Sequence, residues 1–179
     1  MTPREQVEYS ELRATIRERG TARVWVFVAG MAAWGALASA TSALSATPVA
    51  TLLPLLVVAS AFEAVFALHV GVERIGRYLQ VFYETEGSGA RWEHAAMAFG
   101  RPRGAVGADA LFFAPFLLAA LFNVIPALVV EPTRAEVIFI LGAHSLFVLR
   151  LVAARQGARQ QRAIDLARFE QIRQQRTSA

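Results

Sequence analysis

The 179-residue chain contains no cysteine and no lysine. The first absence excludes disulfides, thiolate metal sites, iron–sulfur clusters and cysteine nucleophiles. The second leaves arginine to supply all 18 basic side chains. Charge is scarce as well, at 18% of residues, where a soluble domain carries about 25%. It is also unevenly placed. From Val24 to Phe62 no residue is charged. That run is about twice the roughly 20 residues one spanning helix needs, so it must fold back on itself. The common signatures of phosphate-binding loops, dinucleotide-binding turns, zinc-protease helices and nucleophile elbows are missing too. The expectation is therefore a protein that is not an enzyme and holds no metal and no cofactor.

What is present is apolar. Hydrophobic residues make up 55% of the chain and the mean hydropathy is +0.41. The pattern predicts an all-α polytopic membrane protein, an up-down bundle of four transmembrane helices with helical cytoplasmic extensions. The spans fall at about 24–44, 51–72, 106–130 and 135–152, within a membrane domain of residues 23–153. Residues 1–22 read as a cytoplasmic amphipathic helix. Thr2-Pro3-Arg4-Glu5 has the form of a capping box at its start, and Gly20 marks its end. Residues 73–105 read as a cytoplasmic loop. Within it the second helix continues to about Glu84, and Arg91 to Phe99 form a short interfacial helix carrying Trp92. Residues 154–179 read as an Arg/Gln-rich helical tail with a soft point at Gly157. Pro115 and Pro126 lie inside the third span, where proline is tolerated. Pro132 and Thr133 stop that helix and cap the next.

Orientation follows from the arginines. Seventeen of the eighteen lie in the N-terminal segment, the central loop or the last stretch from Arg150 onward, and the outer turns hold only Arg134. The positive-inside rule then puts both termini in the cytoplasm, and the all-arginine, alanine-rich composition suggests a GC-rich bacterial genome and hence a bacterial inner membrane. The rule also accounts for the pI of about 10.6 without a nucleic-acid partner. Ala38-Ser39-Ala40 has the form of a signal-peptidase site. However, the preceding leader holds Glu5, Glu8, Glu11 and Glu18, which suits an uncleaved first span. Gly35, Ser39 and Ala43 repeat every four residues and predict close helix packing within the chain, with self-association as the alternative.

The polar residues within or beside the spans are the candidate site: Glu63, His69, Glu73, Arg77, Asp109, Asn123 and His144. Ionisable groups in a span are costly and usually face the bundle interior. Glu63 lies about 18 Å from the outer end of its helix, at 1.5 Å per residue, near the midplane. Glu63, Phe66, Val70, Glu73 and Arg77 share one helical stripe. Asp109, Phe116 and Asn123 share another. Depths counted from the helix ends predict that Glu63, Asn123 and His144 meet. Mutual hydrogen bonding that locks the helices is the leading expectation for this group. The alternatives are a proton or ion path from Glu63 to Glu73, and a metal site of Glu63, His69, Glu73 and His144. Glu93-His94 reads as a solvated pair. Phe112, Phe113, Phe116 and Phe122 read as packing, with a quinone or pigment platform as the alternative. The function these features favour is a small accessory or scaffolding subunit of a larger inner-membrane complex. It would dock other subunits, a second copy or anionic lipids through Arg-rich helices. A small oligomeric channel using Glu63 is the first rival. A redox or metal-binding subunit using His69 and His144 is the second.

Overall fold

The computed structural model describes residues 1–44, 47–84, 91–99 and 108–178. Among them every regular element is helical: α1 (Pro3–Leu44), a 3-10 turn (Pro48–Thr51), α2 (Leu52–Phe82), α3 (Trp92–Phe99), α4 (Ala108–Val129) and α5 (Arg134–Ser178). Four of these stretches are long and apolar enough to cross a membrane: Pro3–Leu44, Pro48–Phe82, Phe112–Val129 and Arg134–Ser178.

Local chemistry sets the helix starts. At α1 the Thr2 amide donates to Glu5 Oε2 (2.6 Å) and the Glu5 amide to Thr2 Oγ1 (3.3 Å), the reciprocal bonds of a capping box. Thr133 and Glu136 repeat the device at α5, with the Thr133 amide 2.8 Å from Glu136 Oε2. Glu131, just after α4, has φ of 51° and turns the chain in the left-handed region.

One expected break is absent: α1 runs unbroken through Gly20. α5 continues as a helix through Gly157 into the tail, as expected. A glycine inside a helix costs about 1 kcal/mol relative to alanine. That penalty is too small to end a helix with good formers on both sides. The amphipathic segment and the first apolar stretch are thus one helix of 42 residues.

The chain divides into two compact units, and the division cuts across α1, α2 and α5. One comprises the described residues of 24–66 and 106–155. Its core is Leu55, Val58, Phe62 and Val65 of α2, Phe116, Ala119 and Ala120 of α4, and Phe147, Leu151 and Ala154 of α5. Phe116 is wholly buried. It meets Phe27 (5.6 Å) and Phe62 (5.4 Å) edge-on, and Phe62 meets Phe147 at 6.0 Å in the same way. Such T-shaped contacts suit the ring quadrupole. The pairings also set direction: Phe116 lies beside Phe62 and Asn123 beside Thr51, so α4 runs against α2, while Phe147 beside Phe62 and Arg150 beside Glu63 show α5 running with it.

α1 joins this core through the half-buried Val26, Phe27, Met31 and Trp34. Its closest approach is at Gly30, where a Cβ would collide with the Ala61 Cβ. The expected packing stripe lies elsewhere on the helix and is open. Gly35 has nothing near its Cβ position, and Ser39 and Ala43 are exposed. The bulky Phe27, Met31 and Trp34 set the contact face, and Gly30 is the small residue that lies on it.

The second unit comprises the described residues of 1–23, 67–105 and 156–179. The N-terminal segment, the stretch after Ala67 and the tail are therefore one body, where the sequence suggested three separate extensions. Tyr9 packs on Tyr83 (5.6 Å), Tyr78 on Phe82 (4.6 Å), and Phe169 against both Tyr78 (5.6 Å) and Phe82 (6.3 Å). Arg173 Nη1 donates to the Val81 carbonyl at 3.0 Å.

Candidate functional site

The expected polar residues separate into distinct groups. In the first unit, Asn123 and His144 meet as anticipated. Asn123 Nδ2 donates to the Thr51 carbonyl (2.6 Å) and contacts His144 Nε2 (3.2 Å), while His144 Nδ1 contacts the Ile140 carbonyl (2.8 Å). A carbonyl can only accept, so Nδ1 carries the ring proton and Nε2 accepts from the amide. This tautomer follows from the network. Asn123 uses both amide protons and His144 both nitrogens, so the buried group is satisfied.

Glu63 does not join them. Its carboxylate receives Arg150 of α5 through two bonds, Nε to Oε1 at 2.7 Å and Nη2 to Oε2 at 2.8 Å. The depth estimate failed because it measured each residue from its own helix end and took those ends as level. The 3-10 turn at Pro48–Thr51 instead docks against α4 beside Asn123, six residues inside the end of that helix. Thr51 therefore marks the level of Asn123 and His144, and Glu63 lies about 18 Å farther along α2.

In the second unit, Glu73 and Arg77 pair at 3.1 Å, as their spacing predicts. Arg77 has a second partner outside its own helix. Its Nη1 donates to Asp165 of α5 at 2.8 Å, and both side chains are buried. Asp165 also receives Gln161 (2.8 Å) and faces Arg74 (3.5 Å). Burial raises the Asp165 carboxyl, but the Gln161 bond and the two guanidinium groups outweigh it and hold it below its ordinary value. His69 Nδ1 contacts Arg23 Nη1 at 3.0 Å, which makes the ring nitrogen the acceptor. The side chain of Asp109 lies outside the described residues.

Glu93 and His94 are solvated in part, with the His94 side chain 50% exposed, but both are also tied to a buried group. Glu84, fully buried, accepts the Glu93 amide (2.8 Å), the His94 amide (2.9 Å) and His94 Nδ1 (3.0 Å). A carboxylate from just beyond the end of α2 thus caps α3. Arg13 of α1 adds Glu93 at 2.7 Å and Glu84 at 3.8 Å. Burial pushes the Glu84 carboxyl up, and the two amides with the His94 ring pull it down further, so it sits below its usual range.

The four phenylalanines do not form one platform. Phe116 is core, Phe112 meets Phe27, Phe113 lies under Arg155, and Phe122 is exposed. No three His, Asp or Glu side chains gather as a cation site among the described residues. A small recess at the end of the first unit, lined by Thr41, Ser42, Thr47, Thr51, Pro126 and Val130, offers hydroxyls and no ionisable side chain.

Sequence reasoning missed Arg150, Asp165 and Glu84. Arg150 was counted with the tail, although it lies inside the fourth apolar stretch at a helical depth close to that of Glu63. Asp165 continues the α5 stripe of Ile140, His144, Phe147, Leu151 and Ala154 at steps of three and four, a signal visible in the sequence. Nothing local marks Glu84 as a cap. No family model, no curated protein and no solved structure matches this chain.

Proposed function

We propose that the chain is a multi-pass membrane protein of the scaffolding kind, a non-enzymatic accessory subunit of a larger bacterial inner-membrane assembly. The four apolar helical stretches cross the bilayer as an up-down bundle, with both termini in the cytoplasm. The unit formed by 1–23, 67–105 and 156–179 is the docking body.

The observation that carries this reading is the build of that body. Its buried carboxylates, Glu84 and Asp165, are spent on internal bonds; on its exterior, among the described residues, the exposed Arg4, Arg17, Arg19, Arg74, Arg91, Arg162, Arg168, Arg173 and Arg176 outnumber the exposed Glu5, Glu8, Glu11, Glu18 and Glu170. A folded helical body with a basic exterior suits an acidic partner surface or anionic head groups. The polar groups described above are engaged in structural bonds, which favours a packing role over chemistry. No geometric feature favours the channel or redox readings over this one.

Two experiments test the proposal. The first uses the absence of native cysteine. Single cysteines at Ser10, Ala135 and Thr177 are labelled with a membrane-impermeant maleimide. Ala135→Cys is expected to react from outside intact cells, and Ser10→Cys and Thr177→Cys only after permeabilisation. The opposite pattern overturns the topology. In the second, purification in mild detergent and native mass spectrometry should show a different protein at fixed stoichiometry. Arg162→Glu/Arg168→Glu should release it. A preparation without any second protein overturns the accessory role.

A further inference from the structure

The Glu63–Arg150 pair is placed unusually. Its side chains are 48% and 43% exposed, although both lie within long apolar stretches. On the same two helices Leu56, Ser60, Leu146 and Leu149 are also exposed, with no further charged side chain among them. On the membrane reading proposed above, on which this inference rests, the pair faces hydrocarbon in a lone chain. Charged groups in spans ordinarily face protein or water.

The guanidinium has five N–H donors, of which Glu63 takes two. Its plane lies near the rings of Phe62 (6.0 Å) and Phe66 (5.4 Å). The remaining donors need acceptors, because hydrocarbon offers none. Escape to the cytoplasmic head groups is opposed by the backbone. The Cα–Cβ bond of a helical residue tilts toward the helix N-terminus, which for α5 is the outer end. Arg150 therefore leans inward along the bilayer, onto Glu63.

We propose that this pair is the centre of a two-fold interface between two copies of the chain. A patch with one fixed anion beside one fixed cation is its own complement. A two-fold axis next to it brings Glu63 of each copy to Arg150 of the other, the isologous arrangement common in dimers. The four groups then supply one another with acceptors and leave the lipid. An anionic head group fits less well, since the Glu63 carboxylate already holds the cation and repels a second anion.

The test is disulfide cross-linking in native membranes. Ser60 and Ala64 are exposed and flank Glu63 on α2. Ser60→Cys and Ala64→Cys should give a dimer on mild oxidation. Leu118→Cys, exposed on α4 at a comparable level, should give at least several-fold less. Adding Glu63→Gln/Arg150→Gln should lower the Ser60→Cys dimer several-fold. The charge swap Glu63→Arg/Arg150→Glu, which keeps self-complementarity, should restore it. Equal cross-linking at Ser60→Cys and Leu118→Cys, no effect of the neutral pair, or a Ser60→Cys disulfide to a different protein in place of the dimer overturns the proposal. Alkaline carbonate extraction of the same membranes separates the two readings. Release of the chain overturns the membrane reading and the dimer with it. A retained chain without the Ser60 dimer overturns the dimer alone.

Discussion

At the scale of single residues, the strongest constraints are hydrogen bonds that nothing else can replace. Asn123 is one: its amide serves the Thr51 carbonyl and the His144 ring together. Asn123→Ala leaves the buried His144 Nε2 without its donor, at about 1–3 kcal/mol, and takes the side-chain bond from the Thr51 carbonyl. The variant is expected to unfold at clearly lower denaturant in detergent, whereas Asn123→Gln should recover little, because its longer arm misplaces the amide. Glu131 is the converse, a residue in a conformation it resists. The left-handed region costs a side chain about 1–2 kcal/mol, and glycine enters it freely. Glu131→Gly should therefore raise the melting temperature, by up to about 1 kcal/mol of stability after the entropy of glycine is subtracted. A lowered melting temperature would show that the Glu131 side chain makes a bond that matters more. The pairing of Asn123 with His144 could be anticipated from residue type and helical face. The Thr51 carbonyl could not, since a backbone acceptor carries no sequence signal.

At the scale of elements, the apolar stretches and both capping boxes are legible because their causes are local: composition, a 3–4 rhythm and a Thr three residues before a Glu. The expected stop at Gly20 fails for a physical reason as well, since helix propensity is a weak force beside flanking turns that favour the helix. α3 depends on a residue outside its own turns. Glu84→Gln removes the carboxylate that caps it, and amide exchange across 92–99 should accelerate. The same contact sets a pH dependence. A carboxyl whose folded value is depressed stabilises the folded form fully above its ordinary value and loses that contribution as pH falls through the lowered one. Glu84 and Asp165 both have this sign. Exchange protection of α3 should thus hold at neutral pH and fade only below the ordinary carboxylate value of about 4.5. Fading between pH 6 and 7 would contradict it. For the buried Arg77–Asp165 bond, breaking one partner strands the other, at a cost of about 3–5 kcal/mol. Arg77→Met or Asp165→Leu alone should therefore destabilise strongly, and the double variant should recover most of the loss in a double-mutant cycle.

At the scale of the whole molecule, four apolar helices are evident from composition, but the division into two units is not. The second unit depends on meetings such as Tyr9 with Tyr83 and Arg77 with Asp165, which are separated by 74 and 88 positions in the chain. No periodicity encodes such a meeting. One consequence concerns α1. It is 42 residues long and has no buried residue, while α2, α4 and α5 share the core. Local opening free energy follows the number of buried apolar contacts. α1 should accordingly be the cheapest element to detach and the last to gain protection during assembly, so its amides should exchange ahead of those of α2 and α5. The molecule then behaves as a three-helix nucleus with a late-arriving first helix, a sequence of events opposite to the order in which the chain is synthesised.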